Sequence, residues 1–315
     1  MKIAILNESF FKNPHLDALR ALGDLAIHEN TDTEEKAIER LKGIEIAIAD
    51  CYIAPINKKV LESTDALKLL AINSTGYDLV DVAAAKAKGI QVANVPGFST
   101  EAVAEHATAL MLAVSRKIPA GDTGMRQAPF QIDPASQEHH KYLGFDLAGK
   151  TLGVVGLGSI GRRVAKIGQG FGMKVLAFNR SQKNIEGVKQ VSLDELLGES
   201  DIVSLHLPFS PDTENIITAE RLQLMKPTAI LINTARGKCV DESALISALQ
   251  SHQIAGAGLD TIIDWSAFNP LLKLDNVVLS PHSAFFTEEA LENCANIIVE
   301  NIKAFVEGKA VNIVN

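Results

Sequence analysis

Short apolar runs recur along the chain, separated by stretches in which apolar residues return every three or four positions. The runs are rich in β-branched residues and predict strands at Lys2–Leu6, Glu45–Ala49, Leu67–Ile72, Gln91–Ala93, Leu152–Val155, Lys174–Phe178, Ile202–Leu205, Ala229–Ile232, Gly256–Leu259 and Val277–Leu279. The stretches between most of them predict helices, among them Val80–Lys88, Gly161–Phe171 and Glu242–Gln250. Near-continuous apolar strands that alternate with helices imply parallel sheets covered on both faces. The alternation runs twice, before about residue 95 and after about residue 150, so the pattern predicts two doubly wound α/β domains.

Between the two runs, "STEAVAEHATALMLAVSRK" predicts one long helix from Ser99 to about Arg116, with Ser99 as N-cap. It is apolar at nearly every turn and is expected to lie buried against another domain or subunit. The following "QAPFQIDPASQEHHKYLGFDLAGK" is polar and contains proline, which predicts a crossing loop. A last helix, from about Thr287 to Glu307, is placed to return the chain to the first domain and close it with "AVNIV". The expected division is residues 1–98 with 287–315 as one domain and residues 99–286 as a second, inserted domain.

Composition narrows the function. The chain has 315 residues, 47% of them apolar, which supplies an ample core. The net charge is −8 and no basic run occurs, which disfavours nucleic acid and anionic membranes as partners. The three cysteines are dispersed and form no CxxC pair, which fits unpaired thiols and no zinc site. The N-terminal apolar run is too short for a signal peptide, and no run reaches the ~20 residues that span a bilayer. The expectation is a cytoplasmic protein without a metal.

The segment "TLGVVGLGSIGRRVAKIG" carries the most specific motif. A strand runs into Gly156, Gly158 and Gly161 and then directly into a helix. The first glycine allows the tight turn, the second lets a pyrophosphate approach the helix N-terminus, and the third lets helix and strand pack closely. About 20 residues on, NAD enzymes place an acidic residue that binds the ribose hydroxyls. This chain has Asn179, Arg180 and Ser181 there. Asn179 repels no 2′-phosphate and Arg180 is able to bind one, so NADP(H) is favoured over NAD(H).

Two further strands end in charged or titratable residues. "LINTARG" places Arg236 beyond the fourth strand after the glycine motif, at the carboxyl edge where open α/β sheets bind ligands. A guanidinium there can grip a carboxylate with two hydrogen bonds. "VVLSPHSAFF" places His282 at the same edge, as a proton donor near neutral pH. His206, in "SLHLPFSPDT", is expected to shape the dinucleotide pocket, and His106 to be a satisfied core histidine. In the first domain, Ser74, Thr75 and Gly76 end a strand with exposed backbone amides, a nest for an anionic substrate.

Together these residues resemble the D-isomer-specific 2-hydroxyacid dehydrogenase family. "NSTGYDLVD", "NVPGFSTEAVAEHATALML", "GKTLGVVGLGSIGRRVA", "LHLPFSPDTENII", "LINTARGKCVDESAL", "AGAGLD" and "SPHSAFFTEEA" follow its blocks in its order. The resemblance implies carboxylate binding by Arg236 and by the amides of Ser74, Thr75 and Gly76, with His282 as catalytic acid and base. It implies that Asp260 holds the nicotinamide amide. Ser159, Ile160, Pro208, Thr213 and Thr234, from the same blocks, are expected beside the dinucleotide. The family's members are mostly homodimers built around the long helix. One position departs: Trp265 aligns with the glutamate that pairs with the family's histidine. Asp264 is one residue away and is expected to take its place if the loop shifts. Tyr52 is expected in the substrate pocket with the Ser74 turn.

The reading is therefore a reductase that moves hydride between nicotinamide and a small 2-keto or 2-hydroxy acid, of the pyruvate, hydroxypyruvate or glyoxylate class. The alternative is a non-catalytic dinucleotide-binding sensor or scaffold on the same fold.

Overall fold

The computed structural model describes residues 1–7, 10–127 and 136–315. The chain forms two units, Met1–Ser99 with Phe286–Asn315, and Thr100–Phe285.

Unit 1 is built on β1 (Lys2–Ile5), β2 (Asp24–Ile27), β3 (Ile46–Ala49), β4 (Leu69–Ile72) and β5 (Gln91–Ala93). All pairs are parallel, in the order β2-β1-β3-β4-β5. Ala4, Leu6, Ala47, Ala49, Leu70 and Ile72 form a core on one sheet face with residues of the helices Glu34–Arg40 and Lys58–Ser63. The helix Glu288–Val306 is capped by Thr287, whose Oγ1 accepts from Ala290 N at 3.2 Å. It brings the C-terminus back to unit 1, where Ile313 bridges Ala93 antiparallel and Val314 N donates to Val92 O at 2.9 Å.

Unit 2 is built on β6 (Thr151–Val155), β7 (Lys174–Phe178), β8 (Val188–Gln190), β9 (Ile202–Leu205), β10 (Ile230–Asn233), β11 (Gly256–Leu259) and β12 (Val277–Leu279). The sheet is parallel in the order β12-β11-β10-β9-β6-β7-β8. Strand order reverses at β6, which pairs β7 on one side and β9 on the other. That switch point is where an open α/β sheet leaves a crevice for a ligand. Both faces are covered. Val155, Val203, Leu205, Leu231 and Leu259 enter one core. Leu152, Val154, Ile202, Ile230 and Ile232 enter the other. This burial on both sides is why these strands read as unbroken apolar runs.

The structure departs from the sequence reading in three places. β2 and β8 were not expected: each is a short strand at a sheet edge, DLAI is followed at once by polar residues, and VKQ carries little apolar signal. The helix Thr100–Ser115, expected against another domain or subunit, packs on the sheet of its own unit. Leu110 and Val114 stand over Gly258 and Gly256 of β11, where missing side chains let the helix approach. A helix for which no element was expected precedes the crossing loop, and the loop itself holds one helical turn. A helix spans Ile118–Gln127, with Pro119 in its first turn, where the absent N–H is not needed. Gln137–His140 forms one further turn, and residues 128–135 of the expected crossing loop lie outside the described residues. Among the described residues no helix is long and apolar enough to cross a membrane.

Candidate active site

The glycine turn of unit 2 meets the physical demands of a pyrophosphate site. Gly156 has φ +100°, and a Cβ there would meet the His206 carbonyl oxygen at 2.5 Å. A Cβ on Gly161 would collide with the Gly156 carbonyl oxygen. A Cβ on Gly158 would meet nothing within 4 Å, so the space above that backbone is open. Gly158 is the N-cap of the helix Ser159–Gly170 and supplies no side-chain cap, which leaves the N–H groups around Ser159 and Ile160 for an anion. Among the described residues, Thr234 Oγ1 at the end of β10 is buried without a hydrogen-bonding partner in the protein. Such an orphan is the mark of a group that a ligand or water completes. The donor set and the open space together fit a nicotinamide dinucleotide.

At the tip of β7, Asn179 Oδ1 accepts from Leu157 N at 3.0 Å, and its Nδ2 donates to Ser181 O at 2.8 Å. Asn179 thus ties the second strand to the glycine turn. Arg180 and Lys183 are exposed beside it, and no acidic residue occurs from Asn179 to Asn184. On the neighbouring β9 loop, Thr213 Oγ1 donates to Pro208 O at 2.7 Å and accepts from Ser210 N at 2.8 Å, which fixes that loop.

His206 directly follows β9, with its Nε2 2.8 Å from Ser204 Oγ. Burial pushes its imidazole down to about 3, so the ring is neutral near physiological pH. The unfolded value is 6.5. Between these values the unfolded chain binds a proton that the native chain does not, so stability falls as pH drops through that window. Wild type should lose about 1 kcal/mol more per pH unit between pH 6 and 5 than His206→Gln. Denaturant unfolding of both proteins checks this, and parallel curves would refute it.

β10, β11 and β12 are adjacent and parallel, with Asn233 opposite Leu259 and Leu259 opposite Leu279. Arg236, Asp260 and His282 leave the carboxyl ends of these three neighbours, on one edge of the sheet. Buried Asn233 shapes the first turn. Its Oδ1 accepts from Ala235 N at 2.9 Å, and its Nδ2 donates to Arg236 O at 2.9 Å. Gly237 N donates to Thr261 Oγ1 at 3.1 Å, joining the Arg236 and Asp260 turns. His282 is half-buried, has φ +55°, and stacks edge-on against Phe285 with ring centroids 6.1 Å apart.

Asp260 is 2% exposed and reaches this same turn. Its Oδ1 accepts from Ser280 Oγ at 2.6 Å and Ser283 N at 2.9 Å, and its Oδ2 accepts from Ala284 N at 3.0 Å. His106 is no simple core residue: its Nε2 lies 2.8 Å from Ser280 Oγ. Asp264 is placed differently. Its Oδ1 and Oδ2 accept from Ser266 N at 2.8 Å and Ser266 Oγ at 3.0 Å, so its carboxylate is engaged in its own exposed turn. Trp265 is 53% exposed beside it. Glu242 anchors this segment, accepting from Ile263 N, from Asp264 N at 3.2 Å and from Asn269 Nδ2 at 3.0 Å. Neither Glu242 nor the Ser280 link carried a sequence signal, because each partner lies far away in the chain.

In unit 1, Ser74 Oγ donates to Gly76 O at 2.6 Å and Thr75 Oγ1 to Val95 O at 2.8 Å. The hydroxyls are turned into the fold. The N–H groups of Ser74, Thr75 and Gly76 donate to no protein group among the described residues. This is the geometry of an anion nest. Tyr52, 51% exposed, follows β3 on the same sheet edge, and its N–H donates to Asp50 Oδ1 at 3.0 Å. Burial, with Asp50 nearby, pushes the Cys51 and Cys294 thiols up to about 12, so neither is a nucleophile near neutral pH. Among the described residues no cluster of three or more histidine, cysteine or acidic side chains could hold a metal.

A switch-point glycine turn beside a sheet edge bearing arginine and histidine defines a dinucleotide-binding oxidoreductase. Comparison with known proteins agrees. Residues 108–284 match the family model described as D-isomer specific 2-hydroxyacid dehydrogenase, NAD binding domain. A glyoxylate reductase of Thermococcus litoralis is 41% identical over 86% of this chain and 83% of its own length. A solved acyclic imino acid reductase in complex with NADPH and D-Arg is 40% identical with TM-score 0.93, covering 100% of both chains. A D-lactate dehydrogenase from Aquifex aeolicus, complexed with NAD and lactic acid, is 34% identical with TM-score 0.85, covering 98% of this chain and 96% of that one. The chain belongs to the D-isomer-specific 2-hydroxyacid dehydrogenase family and is a nicotinamide-dependent oxidoreductase.

Proposed function

We propose that the protein is an NADPH-dependent reductase of small 2-keto acids, with glyoxylate, hydroxypyruvate and pyruvate as first substrates. The observation that carries this reading is the shared edge of β10, β11 and β12, from which Arg236 and His282 emerge in register. The guanidinium of Arg236 binds the carboxylate and polarises the adjacent carbonyl. His282 gives a proton to the carbonyl oxygen and takes one in the reverse direction. Ser74, Thr75 and Gly76 form an anion-binding turn in their own right. When bound, the nicotinamide supplies the hydride. The uncapped amides around Ser159 and Ile160 hold the pyrophosphate, and Thr234 and Asp260 stand beside the nicotinamide end. The protein works as a homodimer in the cytoplasm. The glyoxylate reductase and D-lactate dehydrogenase relatives speak against a non-catalytic sensor.

The NADPH preference rests on the tip of β7, where Arg180 and Lys183 stand without an acidic neighbour. Arg180→Ala should lower kcat/KM for NADPH by about 10- to 100-fold, the worth of one charged hydrogen bond to the 2′-phosphate. The value for NADH should stay within about threefold. Steady-state kinetics with both cofactors tests it, and a wild type that prefers NADH overturns it.

A second reading is favoured by Trp265, which brings no carboxylate where the family's glutamate is expected, and by Asp264, which is engaged by Ser266. A protonated imine already carries the proton that a ketone must receive. A 2-imino acid therefore asks less of the proton donor, and the NADPH complex of the imino acid reductase relative points the same way. Assays of 2-keto acids with and without ammonium, with chiral analysis of the product, separate the two. A D-amino acid formed only with ammonium supports imine reduction, whereas a 2-hydroxy acid at an equal rate in both supports the first reading.

A further inference from the structure

The turn that carries His282 is held by residues that the reaction chemistry does not itself require. With φ +55°, His282 lies in the left-handed region, which a side chain other than glycine keeps only where its surroundings over-determine it. The surroundings here are the residues around Asp260. His282 N donates to Asp260 O at 3.0 Å, while the Asp260 carboxylate takes the next two amides, Ser283 N at 2.9 Å and Ala284 N at 3.0 Å. The strained residue is thus bracketed by the main chain and side chain of one buried aspartate.

That aspartate is itself held from the helix Thr100–Ser115. Ser280 has one hydroxyl proton, and the 2.6 Å contact shows that it goes to Asp260 Oδ1. The 2.8 Å contact between Ser280 Oγ and His106 must then run the other way, with His106 Nε2–H donating. His106 Nε2 also lies 3.5 Å from Asp260 Oδ1. The chain His106–Ser280–Asp260 therefore links the helix that opens unit 2 to its last residues, next to His282. Its two neighbours are Ser280, just before His282, and Asp260, whose carboxylate holds the amides just after it.

We propose that His106 and Ser280 are positioning residues, which act through Asp260 to hold the left-handed His282 turn in its reactive orientation. The proposal rests on the reading of His282 as the proton donor. The test uses the full-length protein with NADPH and a 2-keto acid panel, in four variants: His106→Leu, Ser280→Ala, the double variant and His106→Gln. The first two should each lower kcat by about 10- to 100-fold, the usual cost of a catalytic group displaced by an ångström. KM for the keto acid should stay within about threefold, because carboxylate binding by Arg236 is untouched. The double variant should be no worse than the poorer single one, since both break the same chain. His106→Gln keeps an N–H at about the same reach and should return kcat to within about fivefold of wild type. Unchanged kcat in His106→Leu and Ser280→Ala, additive losses, or a Gln variant as impaired as Leu would overturn the proposal. A readout without turnover keeps the two ideas apart. The His282 ring signal in a 13C-histidine NMR spectrum, assigned by its absence in His282→Asn, should move in Ser280→Ala. If wild type reduces no keto or imino acid, the reaction reading fails alone. If that signal is unmoved in folded Ser280→Ala and His106→Leu, the clamp fails alone.

Discussion

His282→Asn is expected to lower kcat for 2-keto acid reduction by about 100- to 10,000-fold, the range of a lost general acid. NADPH affinity should stay within about threefold, because asparagine keeps the backbone of the turn and the uncapped amides after Gly158 are untouched. Asparagine is the right replacement. It tolerates the left-handed backbone that His282 adopts at φ +55°, so the turn survives while the titrating ring is lost. Alanine would mix a backbone effect with the chemical one. Single-turnover mixing of enzyme, NADPH and keto acid would isolate the hydride step, and fluorescence titration of NADPH would check the binding. A variant that retains kcat within about fivefold of wild type would remove His282 from the chemistry.

Arg236 should account for the second large effect. Arg236→Ala is expected to lower kcat/KM by about 100- to 1,000-fold, the loss of a bidentate charged contact to the substrate carboxylate. Arg236→Lys should recover less than about a tenth of wild-type activity, because an ammonium lacks the planar fork. Added guanidinium salt should partly restore the alanine variant, since the Asn233 side chain and Gly237 N still hold the turn through Arg236 O and Thr261 Oγ1. If 2-keto aldehydes without a carboxylate were reduced as well as the acids, the assigned role would be wrong.

How far these assignments could be read from the chain depends on the range of the interaction involved. β9 and β11 match their expected bounds, because strands buried on both faces need an uninterrupted apolar run. The edge strands β5 and β12 were read with their observed bounds, whereas the edge strands β2 and β8 escaped notice. Arg236 and His282 were legible because each follows a strand directly, and strand ends are where open α/β sheets place ligands. Asn179 was legible as the residue in the ribose position, yet its bond to Leu157 N at 3.0 Å was not. Glu242 gave no hint that it anchors the backbone at Ile263 and Asp264, and His106 gave none that it reaches Ser280. The expected place of Asp264 assumed a loop shift, whereas the loop closes locally on Ser266.

The sequence by itself determined the two parallel α/β units, the glycine turn with its open Gly158, and the sheet edge that bears Arg236 and His282. These follow from periodicity and local geometry, which act over a few neighbouring residues. Only the tertiary structure decided that Asp260 turns its carboxylate to the backbone after His282, and that His106 completes the link through Ser280. Such contacts join residues 20 to 174 positions apart. They depend on how a helix settles on a sheet, and no local pattern of side chains encodes that packing.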